Sequence, residues 1–121
     1  MRRIIALVAL VLAASAVAVA PAGAATVGEC QAQIDQLAAQ TQAATFTGKN
    51  ADKDRSGLLG KLTNANTKLS EGKNADAILK LQDFEAQVNT LAQTGKLAPA
   101  DAQNLIAGAD AAIACINSIG A

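Results

Sequence analysis

The sequence predicts an all-α protein: one small four-helix bundle of up-down-up-down topology behind an N-terminal signal peptide, stapled by a single disulfide. Three observations carry that expectation. Apolar residues recur every three or four positions in four successive segments after residue 26, with no strand-like alternation. The segments are joined by short polar connections containing glycine, which favour antiparallel neighbours. The two cysteines, Cys30 and Cys115, fall near the start of the first segment and the end of the last, so this topology brings them to the same end of the bundle.

The first residues read as an export signal. Arg2 and Arg3 form a short basic start, and Ile4 to Ala20 is an apolar run broken only by Ser15. After Pro21, the small residues Ala22, Gly23, Ala24 and Ala25 suit cleavage after Ala24 or Ala25. An uncleaved membrane anchor is the competing reading, but no basic residue follows the run until Lys49, so the usual stop-transfer flank is missing. Glu29 directly before Cys30 and the lack of a leucine three positions back argue against a lipid anchor on that cysteine. The expected division is therefore a signal peptide over residues 1–25 and a helical bundle over residues 26–121, secreted or extracytoplasmic and without stable membrane insertion after cleavage.

Just under a hundred residues remain, enough for one domain whose core alone is marginal. Removing Arg2 and Arg3 from the ten basic residues leaves eight against ten acidic ones. A net charge near −2 leaves no footprint for nucleic acid or an anionic lipid surface. The chain has no histidine, tryptophan or tyrosine, so both the commonest metal ligand and the commonest general base are missing. No cofactor is expected, and no enzyme.

The first helix is expected over about Val27 to Thr45, with Cys30, Ile34, Leu37, Ala38, Thr41 and Ala44 on its apolar stripe. Phe46-Thr47-Gly48 breaks it, and Phe46 is placed to plug one end of the core. A second helix starts between Asp52 and Ser56 and runs to about Ser70, with Leu58, Leu59, Leu62, Ala65 and Leu69 inward. Glu71-Gly72-Lys73 forms a tight connection. The third helix, Asn74 to Gly95, has the clearest stripe: Ala77, Ile78, Leu81, Phe84, Val88 and Leu91. Asn74 is read as its cap and Gly95 as its left-handed stop. Pro99 suits the first position of a fourth helix reaching about Ile119, with Ala102, Leu105, Ile106, Ala109, Ala112, Ile113, Ile116 and Ile119 inward and Gly120 as its stop. Gly108, on the same face as Cys115, would permit close helix approach. The leading core residues are Leu58, Leu62, Ile78, Leu81, Phe84, Val88, Leu105 and Ile113.

Ser56-Gly57-Leu58-Leu59-Gly60-Lys61-Leu62-Thr63-Asn64-Ala65, then Gly72 to Ile78, then Phe84-Glu85-Ala86-Gln87-Val88, resemble the FIMAH domain, a small all-helical module of exported bacterial proteins. Its members share an S-L-L-x-K-L-x-x-A opening, a G-x-x-x-A-A-I connection and an F-x-x-Q-V segment. They close on a G-K-L-x-x-x-x-A-x-x-L-I stretch, matched by Gly95-Lys96-Leu97, Ala102, Leu105 and Ile106. The resemblance spans residues 56–113. It implies a helical fold of the kind appended to secreted hydrolases and cell-surface proteins, with no catalytic residue among the shared positions.

Four sets of residues invite a chemical reading. Asp52, Asp54 and Ser56, followed by Gly57 and Leu59, follow the start of an EF-hand calcium loop, making them the metal candidate. Position twelve is Thr63 instead of the bidentate acid, so helix capping by Asp52 or Asp54 is preferred and no metal is expected. Cys30 and Cys115 lack the C-x-x-C spacing of a redox pair and are read as a structural bridge. The carboxylate pairs Asp52/Asp54 and Asp83/Glu85 lie two residues apart, where helical neighbours point in different directions. The polar run Thr63 to Thr67, with Asn89, Thr90 and Thr94, offers groups to a glycan, but no aromatic platform accompanies it. The function expected is an exported, non-catalytic module that mediates protein or cell-surface interaction. The alternatives are a binding protein for a cell-wall glycan or small apolar ligand, or a regulator of a secreted enzyme.

Overall fold

The computed structural model describes residues 25–119, so the signal-peptide expectation, apart from Ala25, lies outside the described residues, as does Gly120. Four helices make up nearly all of it: α1 (Val27–Ala43), α2 (Ala51–Ser70), α3 (Asn74–Gln93) and α4 (Pro99–Asn117). Each packs on its neighbour in sequence, and α1 packs on α4 to close the ring. The all-α four-helix class is the one the heptad-like spacing implied.

α1 starts on a capping box. The Thr26 Oγ1 accepts the Glu29 N–H at 3.1 Å, and the Glu29 Oε1 accepts the Thr26 N–H at 3.0 Å. The helix ends at Ala43, two residues before its expected limit, because Ala44 turns extended and sends Phe46 into the core. There Phe46 pairs with Leu97 as an isolated antiparallel bridge, with Thr47 N–H to Lys96 O at 3.0 Å and Ala98 N–H to Thr45 O at 3.2 Å. The α1–α2 and α3–α4 connections thus hold one end of the bundle together. Leu97, fully buried, belongs to the core although it lies between helices.

α2 begins earlier than its stripe suggests. Its N-cap is Asn50, which makes no side-chain cap bond, so neither Asp52 nor Asp54 caps the helix. Both sit in the first turn, where a negative charge meets the positive end of the helix dipole. Asn74 likewise is not the cap of α3. Lys73 is, and the Asn74 Oδ1 is left buried without a hydrogen-bond partner. Gly72 and Gly95, at φ +80° and +76°, make the left-handed turns after α2 and α3 that an L side chain resists. Pro99 takes the first turn of α4 as expected.

The core holds Leu58, Leu62, Leu81, Phe84, Val88 and Leu105, each nearly or wholly shielded. Ile78 and Ile113, expected beside them, are only partly buried. They flank the stripe, where the neighbouring helix covers one side and solvent wets the other. Leu59, Ile106 and Ala38 share that fate. Thr41 is the buried polar residue, and its hydroxyl donates to Leu37 O at 2.9 Å, so its burial leaves nothing unpaired.

Cross-helix contacts fix the order of the seams. Gln31 reaches Ser70, Asn66 reaches Asp35 at 3.0 Å, and Arg55 donates to Ala44 O, so α1 and α2 run in opposite directions. The Arg55 guanidinium also lies 4.9 Å from the centroid of the Phe46 ring. α1 and α4 are tied at both ends: Cys30 is bonded to Cys115 at one, and Phe46 meets Leu97 at the other.

Candidate interaction surface

The disulfide joins the first turn of α1 to the last turns of α4, with the two Cα atoms 5.6 Å apart. The Cys30 side of the bridge is fully buried and the Cys115 side partly so. Beside it, Ala25 pairs with Ile119, and the Ala25 N–H donates to Ser118 O at 3.3 Å. Cys30 belongs to the core cluster and Cys115 packs against it, a structural setting for the bridge.

The other candidates separate when placed in the fold. Asp52, Asp54 and Ser56 all lie in the first two turns of α2 rather than in a loop. Asp52 and Ser56 share one face, while Asp54 is turned about 200° away along the helix. Asp52 is engaged by Arg55 at 3.2 Å and is wholly exposed. Among the described residues, no group of three or more acid or cysteine side chains is placed to hold a metal ion. The polar run on α2 is in part engaged within the fold, while Thr63 and Asn64 stay exposed. Asn66 is taken by Asp35, the Thr67 hydroxyl donates to Thr63 O, and Ala65 is buried. Thr90 and Thr94 spend their hydroxyls on carbonyls of their own helix.

The structure brings together two features that linear spacing does not reveal. The first is a pair of carboxylates across the α3–α4 seam, Glu85 and Asp110. Glu85 is partly buried, and its Oε2 is shut off from solvent without a hydrogen-bond partner. Burial first, and then the Asp110 carboxylate as hydrogen-bond acceptor and like charge, push Glu85 from an ordinary 4.5 up to about 7. Two ionised carboxylates offer only acceptors to one another, so a proton on Glu85 is what lets the pair bond.

The second feature is a groove along the α1–α4 seam. Gly108 brings α4 close to α1 there: a Cβ at that position would stand 2.9 Å from the Leu37 Cδ1, so that buried side chain would have to shift to admit one. Two adjoining clefts share Gln40 and Gly108. One, of about 500 Å³, opens between Gln40 and Ala43 on one side and Asp101, Asn104 and Ala107 on the other. The smaller, of about 160 Å³, continues past Gln33, Gln36 and Ala111. Gln33, Gln36, Gln40 and Asn104 are exposed, and none of their side chains forms a hydrogen bond to another described residue. Asp101 at the groove's end does have a partner, accepting the Thr45 N–H at 2.8 Å.

The class defined by this geometry is a disulfide-stapled, all-α four-helix bundle with an amide-lined groove between its first and last helices. No family model, curated protein or solved structure matches the chain. The FIMAH resemblance accordingly rests on the motifs quoted above.

Proposed function

We propose that the protein is an exported, non-catalytic module that binds another protein, at the cell surface or in its surroundings, through the α1–α4 groove. The observation that carries this reading is the row of unengaged amides along a groove held rigid at both ends. Side-chain amides bind by hydrogen bonding and bring neither a nucleophile nor a proton-transfer group. The intramolecular disulfide supports an oxidising compartment, and no helix among the described residues is long and apolar enough to cross a membrane. The basic start, apolar run and small-residue site of residues 1–25 supply the export signal.

One preparation tests both halves of the proposal. Protein recovered from culture medium is expected to have an intact mass beginning at Ala25 or Thr26, two hydrogens light before reduction. Full-length mass in the membrane fraction would refute export. A photo-crosslinker at Gln36, added back to living cells, is expected to trap a discrete protein that a crosslinker at Leu79, exposed on the far face of α3, does not. Equal trapping from both positions would refute a role for the groove.

A further inference from the structure

We infer that the partner segment seated in the α1–α4 groove is an extended, basic peptide. This rests on the interaction role proposed above and deepens it. The groove's length, lining and charge each narrow the occupant.

From Gln33 to Ala43 the groove runs ten residues of helix, about 15 Å, which spans four or five residues of extended chain. Gln33, Gln36 and Gln40 stand along one wall at intervals of three and four residues, with Asn104 on the other. Each amide offers two donors and an acceptor carbonyl, the complement of a peptide group that offers one of each. Ala107, Gly108 and Ala111 keep α4's side low, so a backbone can come within hydrogen-bond reach of the amides. An extended strand exposes its peptide groups, whereas a helix satisfies its own and would meet these amides with nothing to bond. A glycan would use the same donors, but it gains most of its contact area on an aromatic platform. Neither α1 nor α4 contains an aromatic residue.

Charge decides the side chains. α1 carries Glu29 and Asp35, and α4 carries Asp101 and Asp110; neither helix has a lysine or arginine. All eight basic residues among those described lie on α2, α3 and the connections. Of the four acids only Asp101 lines the groove, with Asp35 turned to Asn66 of α2 and Asp110 to Glu85 of α3. The groove's one charge is therefore negative, and neither of its helices carries a base. A basic segment is drawn to that groove and an acidic one is repelled.

The test is a titration of the ¹⁵N-labelled, disulfide-intact domain followed by NMR. Three probes are used: a twelve-residue Gly/Ser peptide with lysine at every third position, the same peptide with glutamate for lysine, and chitohexaose. The side-chain NH₂ signals of Gln33, Gln36, Gln40 and Asn104 are expected to move with the lysine peptide. Its affinity should exceed that of the glutamate peptide at least tenfold, on the order of 1.4 kcal/mol. Gln36→Lys with Asn104→Lys is expected to weaken it at least tenfold while the melting temperature stays within a few degrees of the parent. Equal binding of both peptides, shifts confined to α2 and α3, a response to chitohexaose alone, or no response at all would overturn the inference. If Gln36 still crosslinks a cell-surface protein while the lysine peptide does nothing, the interaction role stands and the basic-peptide assignment falls.

Discussion

Replacing Cys30 and Cys115 together by alanine is expected to lower stability by about 4.5 kcal/mol, and with it the melting temperature by about 18–36 °C. The bridge spans 85 positions, nearly the whole described chain, and the loop-entropy account scales with that length. The core has little else in reserve. On α4 three of the five buried positions are alanines (Ala102, Ala109 and Ala112), and a methyl group removes far less apolar surface from water than a leucine side chain does. A domain of this size sits where a staple decides whether the fold persists. Thermal melts of the double variant, beside parent protein with and without reductant, read the effect. A fall of less than about 5 °C would mean that helix packing alone holds the bundle.

The second large effect is a dependence on pH across the α3–α4 seam. Between pH 4.5 and 7 the folded chain keeps on Glu85 a proton that the unfolded chain has released. Raising the pH through that window therefore favours unfolding. The contribution is complete below about pH 4.5 and lost above about pH 7. Glu85 is partly exposed, so solvent screening reduces it to about 1–2 kcal/mol. Glu85→Gln is expected to remove the dependence. Its amide donates to the Asp110 carboxylate at any pH, which raises the melting temperature by about 5–10 °C at pH 8 and changes it little at pH 4.5. Parallel melts of parent and variant between pH 4 and 9 decide it. A parent whose stability holds flat or rises from pH 5 to 8, with a variant that tracks it, would show that the pair is solvated.

Much of this fold is readable in the spacing of apolar residues, because burying a stripe is what drives a helix to pack. Leu81, Phe84 and Val88 define α3 without help from context. The disulfide follows from topology once four helices and short connections are accepted. Helix ends are harder to read. Thr26 and Glu29 spell a capping box that apolar spacing does not register, while Asn74 looks like a cap and is not one, since Lys73 already takes that place. Ile78 and Ile113 show a different limit. Periodicity says which side of a helix turns inward, and only the neighbour's position says how far the cover extends. The Glu85–Asp110 pair was out of reach because its members are 25 positions apart and meet through packing alone. The groove depends equally on Gly108 meeting Leu37. The glycine was legible as a point of close approach, but the amides gathered around it were not.

The paired ends have a mechanical meaning. The described chain enters at Ala25 and leaves at Ile119, which lie side by side, and the covalent bridge joins Cys30 to Cys115 just inside them. Tension applied to the two ends is borne by those few terminal residues and by the bridge, and everything from residue 31 to residue 114 stands outside the line of force. In single-molecule pulling, the oxidised domain should extend only by its short terminal segments, and release the helices once the bridge is reduced. Loaded through its two ends, the oxidised bundle would keep the α1–α4 seam intact under forces that would unravel an unbridged one.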